Sequence, residues 1–591
     1  MRTNITKIFA GVCCVASLFT ATSCVEETFP TNAATEDQLR DAGAKGTESL
    51  LWAMPAFLNN FNTQGGQSHW DWGYGSIMHI RDVMTADMTV VATGYDWYQA
   101  WALNQSIGEA YASTQFLWNY YYQFIQTSNN LLATVDSTTA STNDELGMVG
   151  AAHAFRALAY LEASQMYEFL PNEKTNTINH AGNNVEHLTM PIVREGMSEV
   201  EARNNPRATR EQMAEFILAD LDAAEKFIVN LKISSKTIPH LDAVYGLKAR
   251  CYMWLGDYEN AKKYARLAID NNTGSVMTRE DCLSTTAGFN DPSKWMWAST
   301  TQKEDDVVGT GIINWTSWMS PEARYGYNAA GATSMIDAKM YKRIKDTDFR
   351  KLMYKAPEGG ALAGKEPFID AEWGAELPEY AAIKFRPNEG NTEEYTVGSS
   401  SAFPLMRIEE MYFIEAEAAE HIAPGAGIAL LTEFMVANRD SKYNFAALSD
   451  DAGLDEILFH KRVELWGEGL SFFDYKRLDM SVERYYEGTN VAEDRLYNTV
   501  GRPAWMNFCI VRSEKNNNAA LIGFENDDPS GLYIPVPDQE EEDDEEGGEE
   551  NGDENGDENG DENGDENGDE TGDENGDETG EENGDETGAE E

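Results

Sequence analysis

Gly246-Leu-Lys-Ala249-Arg-Cys-Tyr252-Met-Trp-Leu255-Gly256-Asp-Tyr258-Glu-Asn-Ala261-Lys-Lys-Tyr264-Ala265-Arg-Leu-Ala268 reads as two helices around a tight turn. Apolar and small residues recur at intervals of three and four on both sides of Leu255-Gly256-Asp257, the period of one helical face. Ala249, Ala261 and Ala268 leave room for two backbones to approach closely. A single hairpin cannot bury its apolar face, so partner hairpins are expected, supplied by Asp144–Phe169, Arg207–Asn230 and Met406–Arg439.

The spacing resembles the tetratricopeptide (TPR) repeat, and an unrelated helical hairpin satisfies it too. Apolar positions at i, i+3 or i+4 mark further helices over Thr114–Val135, Thr209–Asn230 and His240–Leu255. The same spacing marks Tyr258–Asn271, Pro404–Ile422, Gly427–Arg439 and Asp455–Trp466. Strand-like runs are few. The expected fold is mainly α: about four TPR-type hairpins packed against a loop-rich region with few short strands.

The chain has 591 residues, with 45 Lys+Arg against 102 Asp+Glu and a formal charge of −57. Its 41% hydrophobic content supplies a core, which excludes a wholly disordered chain. Between Asp538 and Glu591 lie 30 acidic residues and no Lys or Arg, which leaves −27 on the rest. A body of that sign repels a phosphate backbone, so nucleic acid is excluded as a partner. From Asn551 to Glu590 run ten tetrads of the type Asn-Gly-Asp-Glu. With no large apolar residue to bury, the tail (538–591) is expected to be disordered and extended by its own charge. It fits neither an EF-hand loop nor the calcium-binding nonapeptide. No cofactor or specific metal is expected, only loose calcium binding by the acidic tail.

Arg2 and Lys7 precede an apolar stretch, Ile8 to Phe19, too short to span a bilayer. It ends in Ala21-Thr22-Ser23-Cys24, which resembles the bacterial lipobox, with Ala21 where Leu is commoner. An ordinary cleavage site that includes a Cys is the alternative. The lipobox resemblance implies a signal peptide over 1–23, diacylglycerol and palmitate on Cys24, and a tether over 24–34. Val25-Glu26-Glu27 resembles the surface-export signal of Bacteroidetes lipoproteins, which implies anchoring in the outer membrane with the body outside the cell. Cys251, Cys282 and Cys509 remain beyond Cys24, an odd number expected to be buried thiols.

Several ordered segments resemble the SusD/RagB family of nutrient-binding lipoproteins. Glu456-Ile-Leu-Phe-His-Lys-Arg462-Val-Glu464-Leu-Trp466-Gly-Glu468-Gly469-Leu-Ser-Phe472-Phe473-Asp474-Tyr-Lys476-Arg477 is similar to the family pattern E-I-x-x-E-R-x-x-E-L-x-x-E-G-x-R-x-x-D-L-x-R. Here His460-Lys461 stand near the usual Glu, and Ser471 replaces the usual Arg. Pro404-Leu-Met-Arg407-Ile-Glu409 through Glu415-Ala416-Glu417-Ala418 is similar to P-x-x-R-x-A-E-x-x-L-x-x-A-E-A. Supporting segments, from Gly73-Tyr74 to Tyr245–Arg250, extend the resemblance over most of residues 35–537. The terminal I-P-x-x-E is present only in part, as Ile534-Pro535-Val-Pro537-Asp538. The resemblance implies a SusD-like fold, a glycan-binding domain over 35–537, and a SusC-like TonB-dependent transporter as partner.

Arg462, Glu464 and Glu468 fall at helical spacing and are expected to bridge to Arg407 or Arg477 as a structural network, not a catalytic pair. No His-Glu-x-x-His or Gly-x-Ser-x-Gly occurs, and Gly359-Gly-Ala-Leu-Ala-Gly364-Lys365 carries Glu366 where a phosphate loop needs Ser or Thr.

Aromatic residues in loop-like contexts are the binding chemistry. Trp70, Trp72 and Tyr74 form one group, and Gly94-Tyr95-Asp96-Trp97-Tyr98-Gln99-Ala-Trp101 another. Trp295, Trp297, Asn314-Trp315-Thr-Ser-Trp318 and Arg324-Tyr325-Gly-Tyr327 follow. Sugar faces carry C–H patches that pack on flat rings, with Asp, Asn, Gln and Arg bonding the hydroxyls. Trp70, Trp72, Asp96, Trp97, Tyr98, Trp101, Trp315, Trp318 and Tyr325 are therefore the expected glycan contacts. Trp97, Trp101, Trp315 and Trp318 lead, whereas Trp52, Trp118, Trp254 and Trp466 are expected in the core.

The sequence thus points to a non-catalytic, cell-surface, lipid-anchored protein that captures oligosaccharide and delivers it to the transporter in nutrient uptake. A surface glycoside hydrolase and a TPR adaptor for protein partners remain as alternatives, and a peptide ligand is compatible with the same residues.

Overall fold

The computed structural model describes residues 42–530 and 532, apart from 67, 96, 287 and 446–451. The chain divides into Met1–Glu540 and Glu541–Glu591, and every described residue lies in the first unit. The expected signal peptide, tether and acidic tail, with Cys24 and Asp96, lie outside the described residues.

The principal helices are α1 (Ala44–Phe57), α2 (Tyr74–Val83), α3 (Ala112–Thr134), α4 (Asn143–Tyr167), α5 (Arg210–Phe227) and α6 (Leu241–Leu255). They continue as α7 (Tyr258–Asp270), α8 (Ile408–Ile422), α9 (Ala426–Asn438), α10 (Ala452–Glu464) and α11 (Ser471–Arg477). From α3 to α9 each packs on the next, and α1 packs on α3. The hairpin read from the sequence is α6–α7. Gly256 closes α6 at φ 71°, a left-handed conformation that glycine adopts without strain. The Asp257 side chain then accepts from the Asn260 N–H and caps α7. Ala249, Ala261 and Ala268 are fully buried at the contact. A second close approach lies on α4, where a Cβ on Gly147 or Gly150 would stand 2.4 or 2.5 Å from the backbone nitrogen of Leu231 or Ile228.

Two expectations are corrected here. The stretch from Pro404 does not begin a helix. Ala402–Met406 is instead a strand, buried along its whole length, and the helix starts at Ile408. Trp52 is not core but 39% exposed, because Leu51 and Met54 turn α1 inward and their neighbour projects from the other face. Trp118, Trp254 and Trp466 are buried, and Cys251, Cys282 and Cys509 are free, buried thiols.

Six short strands among the described residues pair into three antiparallel ladders. β1 (Met88–Val90) lies against β5 (Ser334–Ile336), β2 (Leu188–Pro191) against β3 (Arg207–Thr209), and β4 (Trp297–Thr300) against β6 (Ala402–Met406). The first positions the site. Met88 faces Ile336, and the Val91 N–H extends the ladder to the Thr333 carbonyl at 3.0 Å. Two aromatic loops, one leaving β1 and one entering β5, are thereby clamped side by side.

Candidate functional site

A continuous stack of rings runs from the surface into the core between those loops. Trp97, 44% exposed, lies on His69 with ring centroids 4.2 Å apart and planes 24° from parallel. His69 Nδ1 is hydrogen-bonded to the Tyr327 hydroxyl. Tyr327 in turn stacks on Trp318 at 3.8 Å. Trp318 meets the edge of Tyr98 at 4.8 Å, and Tyr98 leans on Trp101, which meets Trp70. The Trp72 indole N–H donates to the Tyr98 hydroxyl at 2.8 Å, which also bonds Ser76 Oγ at 2.9 Å. Burial holds the His69 imidazolium below its ordinary pKa, so the ring under Trp97 is neutral at pH 7.

The sequence-selected rings are thus brought together, but most of them have no free face. Tyr98, Trp101, Trp315 and Trp318 are buried, as are Trp70, Trp72 and Tyr325. Trp315 is enclosed by Phe385 and Phe403, each with its centroid at 5.0 Å. Their expected role as glycan contacts is corrected: they pack behind the surface ring, because a flat apolar face is claimed by the interior wherever protein can cover it. Trp97 alone of that set presents an open face among the described residues.

His69, beneath it, was missed by sequence reasoning, and its only signal is its place beside Trp70. Tyr95 is 59% exposed and flanks Trp97 along the chain. Tyr395, 39% exposed, lies over Gly311, where a Cβ would stand 3.4 Å from the ring. The Gly311 carbonyl abuts Gly326, the residue before Tyr327. Arg324, held by Glu393 at 2.6 Å, supplies a polar edge to the same loops.

Behind the stack lies a buried ion lattice. Arg407 contacts Glu468 at 2.7 Å, Glu464 at 3.2 Å and Glu409 at 3.1 Å. Arg439 and Arg350 reach Glu464 at 2.8 and 3.0 Å, and Lys384 reaches Glu468 at 2.6 Å. Arg350 also holds Asp348, so four cations face four carboxylates and the lattice is neutral. The three guanidinium groups hold the Glu464 carboxyl well below the ordinary carboxylate range, against the opposing effect of its burial. The expected bridges from Glu464 and Glu468 to Arg407 are present. Arg477 instead pairs with Glu417 and Asp474. Arg462 binds Asp87, since residues two apart on a helix face different ways and Arg462 cannot share the Glu464 partners. Carboxylates fixed by cations in this manner are poor proton donors and acceptors at neutral pH.

His79 on α2 is fully buried beside Tyr98, with its ring at 4.4 Å and neither nitrogen hydrogen-bonded. Burial pushes its pKa down to about 3. The native state therefore takes up the His79 proton later than the unfolded chain, and this group lowers stability as pH falls from about 6.5 toward 3. His79→Leu is expected to gain on the parent protein by up to ~1.4 kcal/mol per pH unit through that window. Urea midpoints of both proteins at pH 7 and pH 5 measure the difference, and a gap that does not change with pH refutes the assignment.

No group of His, Cys, Asp and Glu suited to a metal ion occurs among the described residues, and no described helix is long and apolar enough to cross a membrane. Comparison with known proteins places this architecture. A family model described as SusD-like, starch-binding associating with outer membrane, matches residues 55–253, and that of the SusD family matches 352–546. A SusD-like protein of Formosa agariphila is 21% identical over 440 residues, covering 69% of this chain and 80% of the relative. Among solved structures, a SusD-like carbohydrate binding protein from Bacteroides vulgatus superposes with a TM-score of 0.65 at 21% identity, over 81% of this chain and 97% of that one. A SusD superfamily protein from Bacteroides thetaiotaomicron gives 0.61 at 17% identity, over 81% and 98%. With two models of one family matched in order along the chain and the whole helical body shared, the protein belongs to the SusD/RagB family.

Proposed function

We propose that this chain is a non-catalytic glycan-binding protein, held to the outer membrane by lipid on Cys24 and exposed on the cell surface. It passes oligosaccharide to a SusC-like TonB-dependent transporter. The observation that carries the reading is Trp97: an open indole face on a neutral, hydrogen-bonded support, which suits stacking against the C–H face of a sugar. Tyr95 and Tyr395 extend the exposed aromatic surface, and Arg324 supplies a polar group for hydroxyls. The descriptions of the matched family and of the Bacteroides vulgatus structure support the ligand class and the membrane association. The arginine-locked carboxylates of the ion lattice favour binding over hydrolysis.

Affinity electrophoresis of the purified protein in gels containing starch, xylan or mannan tests the reading, with reducing-sugar release assayed in parallel. Retardation in at least one gel without release of sugar is expected. Release of reducing ends, or migration unchanged in every gel, counts against it.

A further inference from the structure

We infer that a groove along α3 is a second saccharide-binding site, which takes a neutral oligosaccharide. The groove has a volume of about 570 Å³ and lies between α3, the turn around Arg203 and the short helix Arg512–Asn517. That volume falls within the range of about 300–1,000 Å³ usual for small-ligand sites. Asn119, Gln123 and Gln126 follow one another on α3 at i, i+4 and i+7, and Trp118 and Tyr122 at i and i+4. One face of the helix therefore sets a row of amides beside a pair of rings, whose centroids are 4.9 Å apart.

The hydrogen-bonding state of the lining identifies the ligand chemistry. Trp118 is 3% exposed, yet it lines the groove, and its indole N–H has no acceptor among the described residues. Gln123 is exposed and its amide is likewise unpartnered, leaving a donor and an acceptor on one side chain. An amide of that kind can bond two neighbouring hydroxyls at once. The other polar groups are mostly occupied: the Tyr122 hydroxyl donates to the Pro191 carbonyl at 2.8 Å, and Asn119 bonds both Gln64 and Gln115. Arg203, the one cation in the lining, is paired with Glu199 at 2.7 Å, so nothing there draws a phosphate or a uronate. Ring faces, an indole N–H open to the groove and a free amide without net positive charge match a neutral polyhydroxylated ring. The groove shares no lining residue with the Trp97 platform, and the inference stands independently of what that platform binds.

The test uses the whole protein with Gln123→Ala and Asn517→Ala combined, two exposed positions whose truncation leaves the core intact. Titration calorimetry is run with starch, xylan and mannan oligosaccharides, with oligogalacturonate as the anionic control, in both the native and Trp97→Ala backgrounds. At least a fivefold weakening for one neutral oligosaccharide is expected in the Trp97→Ala background, where the groove is the remaining site. Trp118→Phe, which keeps the ring and removes the N–H, is expected to weaken the same sugar. No neutral sugar bound in the Trp97→Ala background, affinities unchanged by the groove variants, or a preference for oligogalacturonate overturns the assignment. Loss of a co-purifying membrane protein with sugar affinity intact also overturns it, since the groove would then hold a polypeptide.

Discussion

Glu464→Ala is expected to yield a protein that is insoluble, or soluble with a urea midpoint far below that of the parent. One carboxylate here answers Arg350, Arg407 and Arg439 together, whose side chains are all at most 2% exposed. Its removal leaves positive charge in a region where water cannot compensate it. Breaking a single buried pair costs about 3–5 kcal/mol, against a total stability of about 5–15 kcal/mol for a typical domain. Glu464→Gln keeps the volume and tests the charge alone, and it should recover only part of the loss. Adding Arg439→Ala to Glu464→Ala restores neutrality, so the double variant should be more stable than the two separate losses predict. A midpoint for Glu464→Ala equal to that of the parent would falsify the lattice as a structural necessity. The depressed Glu464 pKa sets the sign of its pH dependence: its contribution is complete above the ordinary glutamate value and is withdrawn as pH falls toward the native one.

Trp97→Ala has the opposite profile, a large loss of binding with little loss of stability. The ring is 44% exposed and meets the body through one face, on His69, so its removal opens no interior cavity. Loss of an aromatic contact of this kind weakens a sugar complex by roughly 1–2 kcal/mol, which corresponds to about a five- to thirtyfold fall in affinity. Affinity gels should show the retarded band returning toward the free position, while the melting temperature stays within about two degrees. Trp315→Ala is expected to behave differently. Its indole sits between Phe385 and Phe403, so truncation leaves a cavity and costs about 3–5 kcal/mol. Binding lost equally in both variants, with both equally unfolded, would remove the distinction between surface ring and buried support.

The helical frame was legible because its signals are local. Gly256 and Asp257 mark a turn by residue type, and the small residues of α6 and α7 mark a close contact by spacing. Arg407, Glu464 and Glu468 were legible as partners through motif resemblance, whereas the Arg462 bond to Asp87 joins positions far apart in the chain. The site was legible only as a neighbourhood. Trp97, Tyr98 and Trp101 lie within five residues, yet one is open and two are sealed, because the short helix Gln99–Ala102 turns them inward against loops brought from beyond residue 310. Exposure is a property of the assembled surface, and no periodicity in so short a segment encodes it. His69 was missed for the same reason: its partner Tyr327 comes from the loop that β5 secures.

The seating of Trp97 on His69 has a thermodynamic corollary. A side chain already confined to one rotamer surrenders little further freedom when a ligand arrives, so even a shallow contact keeps most of its favourable enthalpy. Such a surface can hold a sugar long enough to retain it in flowing medium, yet weakly enough to let it go without any structural rearrangement.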